Sequence, residues 1–233
     1  FYIDRNKFKA AGLPPVPPKT WKELIAVAEK LKAAGQDCVY TSGWPSWVHI
    51  ENFSAWHNVP IGTKQNGMGG VDTEFKINSP LHVRHVAMLG DMVKKGLFTY
   101  AGRTNQADSK FQSGECAMAT ISAGALAGTI KAGKTDWELS FLPYHDDVKG
   151  APQNSIIGGA SLWVMGGKKP AEYKGVAKFL SFLSQPEIQM GWHTTTGYVP
   201  ITKAAYELTR KSGFYDKNPG RDMAVKQLTL NTP

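Results

Sequence analysis

A chain of 233 residues, 42% apolar and 20% charged, has the composition of a folded globular protein and is too apolar for a disordered one. No apolar stretch approaches the roughly 20 residues of a membrane-spanning helix, and two cysteines exclude a disulfide-dense scaffold. The 27 Lys+Arg against 19 Asp+Glu leave a net charge of +8, which favours an anionic partner; the basic residues are nevertheless spread along the chain, never more than two adjacent, so no nucleic-acid partner is expected.

In chain order, Phe1 to Asp4 reads as the end of a strand feeding a short helix over 6–11 that stops at Gly12. The connection Pro14-Pro15-Val16-Pro17-Pro18 cannot continue a helix. Thr20 and Glu23 have capping-box spacing, and Leu24, Ala28 and Leu31 then share one stripe of a helix ending at Gly35. A strand over 38–41 runs into a loop. Ser79-Pro80 opens a helix expected to turn Val83, Val86, Gly90 and Val93 inward.

A buried strand over 116–121 enters the turn Ser122-Ala123-Gly124, with a helix from Ala125. Strands are expected at 139–142 and 156–165, the second interrupted by Gly158-Gly159. Helices follow over 172–184, with Val176, Phe179, Leu180 and Leu183 on one face, from Pro186 to Gly197, and after Thr202. The alternation implies an α/β class with an open, largely parallel sheet. Phe1 begins inside a strand and Thr232-Pro233 follows no capping element, so the chain is expected to be a piece of a longer one.

No G-x-S-x-G, H-E-x-x-H, Walker loop or C-x-x-C is present, so neither an enzyme nor a cofactor or metal is expected. His82 and His85 lie three apart on a helix without a third ligand and read as an exposed face. Glu51 with His49 or His57 is the set a phosphodiester hydrolase would need, but no nucleophile motif accompanies it. Cys38 and Cys116 each start a strand, and the readings of a bridge and of two buried thiols stay open.

Trp44 and Trp47 lie in a loop after a strand, where α/β sheets bind ligands and flat rings suit a sugar or polyol; Trp21, Trp163 and Trp192 read as core. Ser122 at a strand-to-helix turn offers a hydroxyl and helix N–H groups to an anion, or is an ordinary N-cap. Gly158-Gly159 permits close backbone approach, and Tyr198, between Gly197 and Pro200, sits in a tight turn. Together these describe a pocket for a small polyol or its phosphate.

The runs NSIIGGASLWVM at 154–165, SGWPSW at 42–47 with ENFSAW at 51–56, and TGYVPITKAAY at 196–206 resemble the periplasmic sn-glycerol-3-phosphate-binding proteins of Ugp-type ABC importers, a branch of the extracellular solute-binding proteins called family 1. The resemblance covers essentially the whole chain. It implies a two-lobed periplasmic-binding-protein fold of class II type, present here as an incomplete chain. Residues 1–152 would form most of the C-terminal lobe, 153–200 part of the N-terminal lobe, and 201–233 a return to the C-terminal lobe. It further implies that Ser122, Gly159 and Tyr198 contact glycerol phosphate, that Trp44 packs on it and that Trp47 helps form that wall.

The family's other contacts, an N-terminal tyrosine and acid, a serine upstream of Phe1 and an arginine near the C-terminus, lie outside this sequence. Ala123 and Ala125 stand where relatives can carry serines. The expected protein is a periplasmic monomer that hands sn-glycerol-3-phosphate to the transmembrane subunits of an ABC permease. A glycerophosphodiester such as glycerophosphocholine, or a sugar, is the alternative ligand.

Overall fold

The computed structural model of the chain describes residues 1–231; Thr232 and Pro233, the open end noted above, lie outside the described residues. Strand β1 (Tyr2–Asp4) leads into α1 (Arg5–Ala10), capped by the Asp4 side chain, which accepts the Asn6 N–H. Thr20 and Glu23 make the expected reciprocal capping box on α2 (Trp21–Ala33), which buries Trp21, Leu24, Ala28 and Leu31. β2 (Cys38–Ser42) is followed by a π-helical turn, Trp47–Asn52, and α3 (Phe53–Trp56). The single turn α4 (Thr63–Asn66), left-handed at Lys64 and Gln65, precedes α5 (Pro80–Lys94).

Next come β3 (Phe98–Thr99), α6 (Gln106–Gln112), β4 (Cys116–Thr120), a 3₁₀ turn Ala123–Ala125, α7 (Leu126–Ala132) and β5 (Trp137–Leu139). The remaining elements among the described residues are helices: α8 (Pro170–Leu183), α9 (Pro186–Thr196), α10 (Lys203–Lys211), α11 (Phe214–Lys217) and α12 (Met223–Leu228).

The sheet has the order β3-β2-β4-β1-β5. β2 pairs parallel with both β3 and β4, while β1 pairs antiparallel with both β4 and β5. Four strands therefore run one way, and β1 alone is reversed between β4 and β5. The expected largely parallel sheet is corrected to a mixed one: a three-residue strand entering without a crossover helix carries no sign of its direction in its pattern.

Alternation across the sheet separates two cores. Ile3, opposite Met118, packs with Phe8, Leu24, Leu31, Leu89 and Met92; Tyr2, opposite Ala119, packs with Phe111 and Leu126. Cys38 and Cys116 are register partners in neighbouring strands, and they form a disulfide with 4.5 Å between Cα atoms. That decides the question left open above.

Several expectations are corrected. Helix α5 buries His82, His85, Leu89 and Met92, while Val83, Val86 and Val93 are exposed, so the inward stripe lies one residue from the expected one. The cause is chemical: neutral imidazoles pack as aromatic rings, His85 stacking on Phe53 at 3.9 Å and meeting Trp21 edge-on at 4.9 Å. His82 and His85 are thus core, not an exposed face. Residues 156–165 form no strand, because no strand of the sheet lies beside them to pair with; Trp163 is 87% exposed, and Trp192 is exposed too. Of the three tryptophans assigned to the core, only Trp21 lies there.

Candidate ligand-binding site

A cavity of about 1020 Å³ opens beyond the ends of β2 and β4, and Trp44, Trp47, Ser122, Gly159 and Tyr198 all line it. Gly43 makes the exit from β2. Its N–H reaches the Thr120 carbonyl at 2.9 Å, and a side chain there would come within 3.3 Å of Asp108 Oδ1. Trp44 then takes a left-handed φ of 48°, which sets its partly exposed indole at the rim. Trp47 opens the π-helical turn, and its Nε1 is buried with no hydrogen-bond partner among the described residues.

The backbone of 153–158 crosses over this wall. Gln153 N donates to the Trp56 carbonyl at 2.8 Å, Ser155 N to the Gln227 carbonyl at 3.2 Å, and Ile156 N to Asn52 Oδ1 at 3.2 Å. Gly158 is required there, since a Cβ would stand 2.6 Å from the Trp47 ring. Gly159, at φ 130°, lies at the exposed edge of the cavity with open space around it.

On the opposite side, Ser122 Oγ accepts the Gly124 N–H at 3.1 Å, and its carbonyl accepts the Ala125 N–H at 3.0 Å. The helix-end N–H groups expected to meet an anion are therefore partly consumed by Ser122 itself, and the capping role is real. Its hydroxyl proton is left to donate. The Tyr198 ring lies against Gly124, whose missing side chain would fall 2.5 Å from Cζ and 2.9 Å from the hydroxyl. Gly197 takes φ 88° to make that turn, and a Cβ there would meet the Ala123 carbonyl at 2.6 Å. His193 Nδ1 donates to the Tyr198 carbonyl at 2.5 Å, fixing the turn from behind.

Tyr2, Asp108 and Arg221 are among the lining residues that escaped the sequence. Tyr2 donates to the Ser122 carbonyl at 3.4 Å. Asp108 Oδ1 is buried without a partner among the described residues, and that burial pushes its pKa up to about 6. No local motif marks any of them; they meet only through the fold.

The acid–base set is not assembled. Glu51 lines the cavity, whereas His49 and His57 each commit both ring nitrogens to a buried network. His49 faces the Tyr40 hydroxyl at 3.4 Å and His85 Nε2 at 3.4 Å; His57 faces the Phe53 carbonyl at 2.8 Å and the His145 N–H at 2.9 Å. Burial lowers His49 to about 3 and His57 to about 4.

An α/β sheet with a polar and aromatic cavity at its strand ends is an architecture that holds small ligands. The chain matches the family model of bacterial extracellular solute-binding proteins over residues 1–222 and belongs to that family. Over all 233 residues it is 54% identical to the sn-glycerol-3-phosphate-binding periplasmic protein UgpB of Pectobacterium atrosepticum, covering 52% of that protein, and 53% identical to the UgpB of Salmonella typhimurium, covering 53% of it. The chain thus spans about half the length of these relatives. Among solved structures, UgpB of Mycobacterium tuberculosis in complex with glycerophosphocholine superposes on 98% of this chain with a TM-score of 0.79 at 21% identity, covering 55% of that chain. Maltose-bound MalE3 of T. maritima superposes on all of it with a TM-score of 0.75 at 18% identity, covering 58% of that chain. Both likenesses are of fold.

Proposed function

We propose that this chain supplies one part of a periplasmic solute-binding protein that captures sn-glycerol-3-phosphate and passes it, unaltered, to an ABC permease as a monomer closing on its ligand. The observation that carries this reading is the convergence of Trp44, Trp47, Ser122, Gly159 and Tyr198 on one cavity, from four separate stretches of a chain 54% identical to a protein of that name. The indoles give the carbon skeleton an apolar wall, and the Ser122 and Tyr198 hydroxyls serve its polar groups. Residues 1–152 and 201–233 are assigned to one lobe and 153–200 to the other. Support comes from the position of all five strands before residue 140 and from Gln227, whose Oε1 accepts the Leu142 N–H at 2.6 Å. On these boundaries the packing of α10 on α9 becomes the joint between lobes.

A glycerophosphodiester is the second reading, favoured by the likeness of fold to a UgpB solved in complex with glycerophosphocholine. Calorimetric titration of the full natural polypeptide with the monoester, with glycerophosphocholine and with maltose tests both. Saturable binding of the monoester with ligand recovered intact is expected. Binding of maltose alone, or conversion of the ligand, contradicts the proposal.

A further inference from the structure

An anionic ligand here needs a donor that is not already used, and the Gly124 and Ala125 N–H groups are taken by Ser122. Arg221 is the only basic side chain lining the cavity among the described residues. It lies between α11 and α12 and is held on two sides. Nη2 donates to the Thr194 carbonyl at 2.9 Å, and the guanidinium carbon stands 4.9 Å from the centre of the Phe214 ring. Stacking and one hydrogen bond orient a planar guanidinium while leaving most of its N–H donors unspent.

No carboxylate pairs with Arg221 among the described residues; the adjacent Asp222 is engaged by Lys226 at 2.7 Å. Burial draws the guanidinium below its ordinary pKa, with Tyr2 and Tyr215 acting the other way. Thr194 lies at the end of α9, just before the turn that lays the Tyr198 ring against Gly124, so its hydrogen bond places Arg221 on the Ser122 side of the cavity. A half-buried cation without a counter-charge has an unmet desolvation cost that a bound anion relieves.

We propose that Arg221 receives the negatively charged group of the ligand and thereby selects anionic polyols over neutral ones. This rests on the small-polyol reading above. The contact is separate from the arginine that the family resemblance implies, which lies outside this sequence.

The test titrates the full natural polypeptide, and its Arg221→Gln and Arg221→Lys forms, with sn-glycerol-3-phosphate and with inorganic phosphate, folding being checked by near-ultraviolet circular dichroism. Loss of a charge-assisted contact is expected to weaken the phosphate ester by about 10- to 100-fold in the Gln form and less in the Lys form. Equal affinity of the folded Gln form overturns the inference and leaves the glycerol phosphate reading standing. Binding of inorganic phosphate but not of the ester, lost in the Gln form, supports the inference and removes that reading. Failure of both anions to bind the unaltered protein overturns both. If the Gln form does not fold, salt decides: affinity of the unaltered protein for the ester is expected to fall several-fold from low to high salt, and a flat dependence overturns the inference.

Discussion

Gly158 and Trp47 show how closely the cavity wall is built. The indole occupies the space a side chain at Gly158 would take, and its Nε1 is left without a partner among the described residues. Gly158→Ala is expected to force the ring aside, costing about 1–3 kcal/mol of stability as overpacking does. A fall in the urea midpoint together with a shifted tryptophan emission maximum checks it; an unchanged emission spectrum means the ring does not lie there. At this scale the sequence was informative where residues announce themselves. Trp44, Trp47, Ser122, Gly159 and Tyr198 sit beside turn-making Gly, Pro and strand ends, and all five reach the cavity. Arg221 and Asp108 carry no such mark, because a lone charged residue in a helical stretch looks the same whether it faces solvent or a pocket.

Among the elements, the disulfide and helix α5 carry the clearest consequences. Cys38–Cys116 closes a separation of 78 residues between adjacent strands, so replacing both by alanine is expected to cost about 2–4 kcal/mol, read from denaturant unfolding. A change under ~1 kcal/mol shows that the unfolded chain is already constrained some other way.

Helix α5 brings His82 and His85 against the π-helical turn, completing the network with His49, His57 and His145. Burial lowers His49 to about 3, and His57 and His145 to about 4, against 6.5 for the free side chain. A lowered histidine pKa means the unfolded chain takes up more protons, so this stability is intact above pH 6.5 and is lost as pH falls towards 4. Asp108, raised to about 6, acts in the opposite sense and offsets one histidine over much of that range. The urea midpoint is therefore expected to drop between pH 7 and pH 5. The drop corresponds to about 1 kcal/mol or more per pH unit. A midpoint that is level over that interval contradicts a buried neutral network. Periodicity assigned α5 as a helix but put the wrong face inward, because hydropathy counts histidine as polar while these rings pack neutral on Phe53 and Trp21.

Among the described residues, exposed large apolar side chains are densest late in the chain. Helix α8 buries none of its residues, with Phe179 and Phe182 exposed, and Leu162, Trp163 and Met165 are exposed beside it in sequence. The relatives are about twice as long as this chain. On the two-lobed reading proposed above, this face is expected to pack against sequence that the relatives carry outside the matched half. A polypeptide confined to residues 1–233 is then expected to bind apolar dyes, to self-associate and to hold ligand poorly; tight ligand binding by that segment contradicts the assignment of its missing contacts. The same exposure explains why 156–165 reads as a buried strand: its composition suits a partner that the described residues do not contain.

Intrinsic tryptophan fluorescence of the full natural polypeptide, titrated with sn-glycerol-3-phosphate beside its Trp44→Ala form, tests the central claim most directly. Trp44 stands partly exposed at the rim of the cavity, so ligand is expected to change its emission in a saturable way, with the response lost or strongly reduced in the variant. A folded protein that shows no response to the phosphate, or whose variant responds as the unaltered chain does, would contradict a ligand held against this aromatic wall.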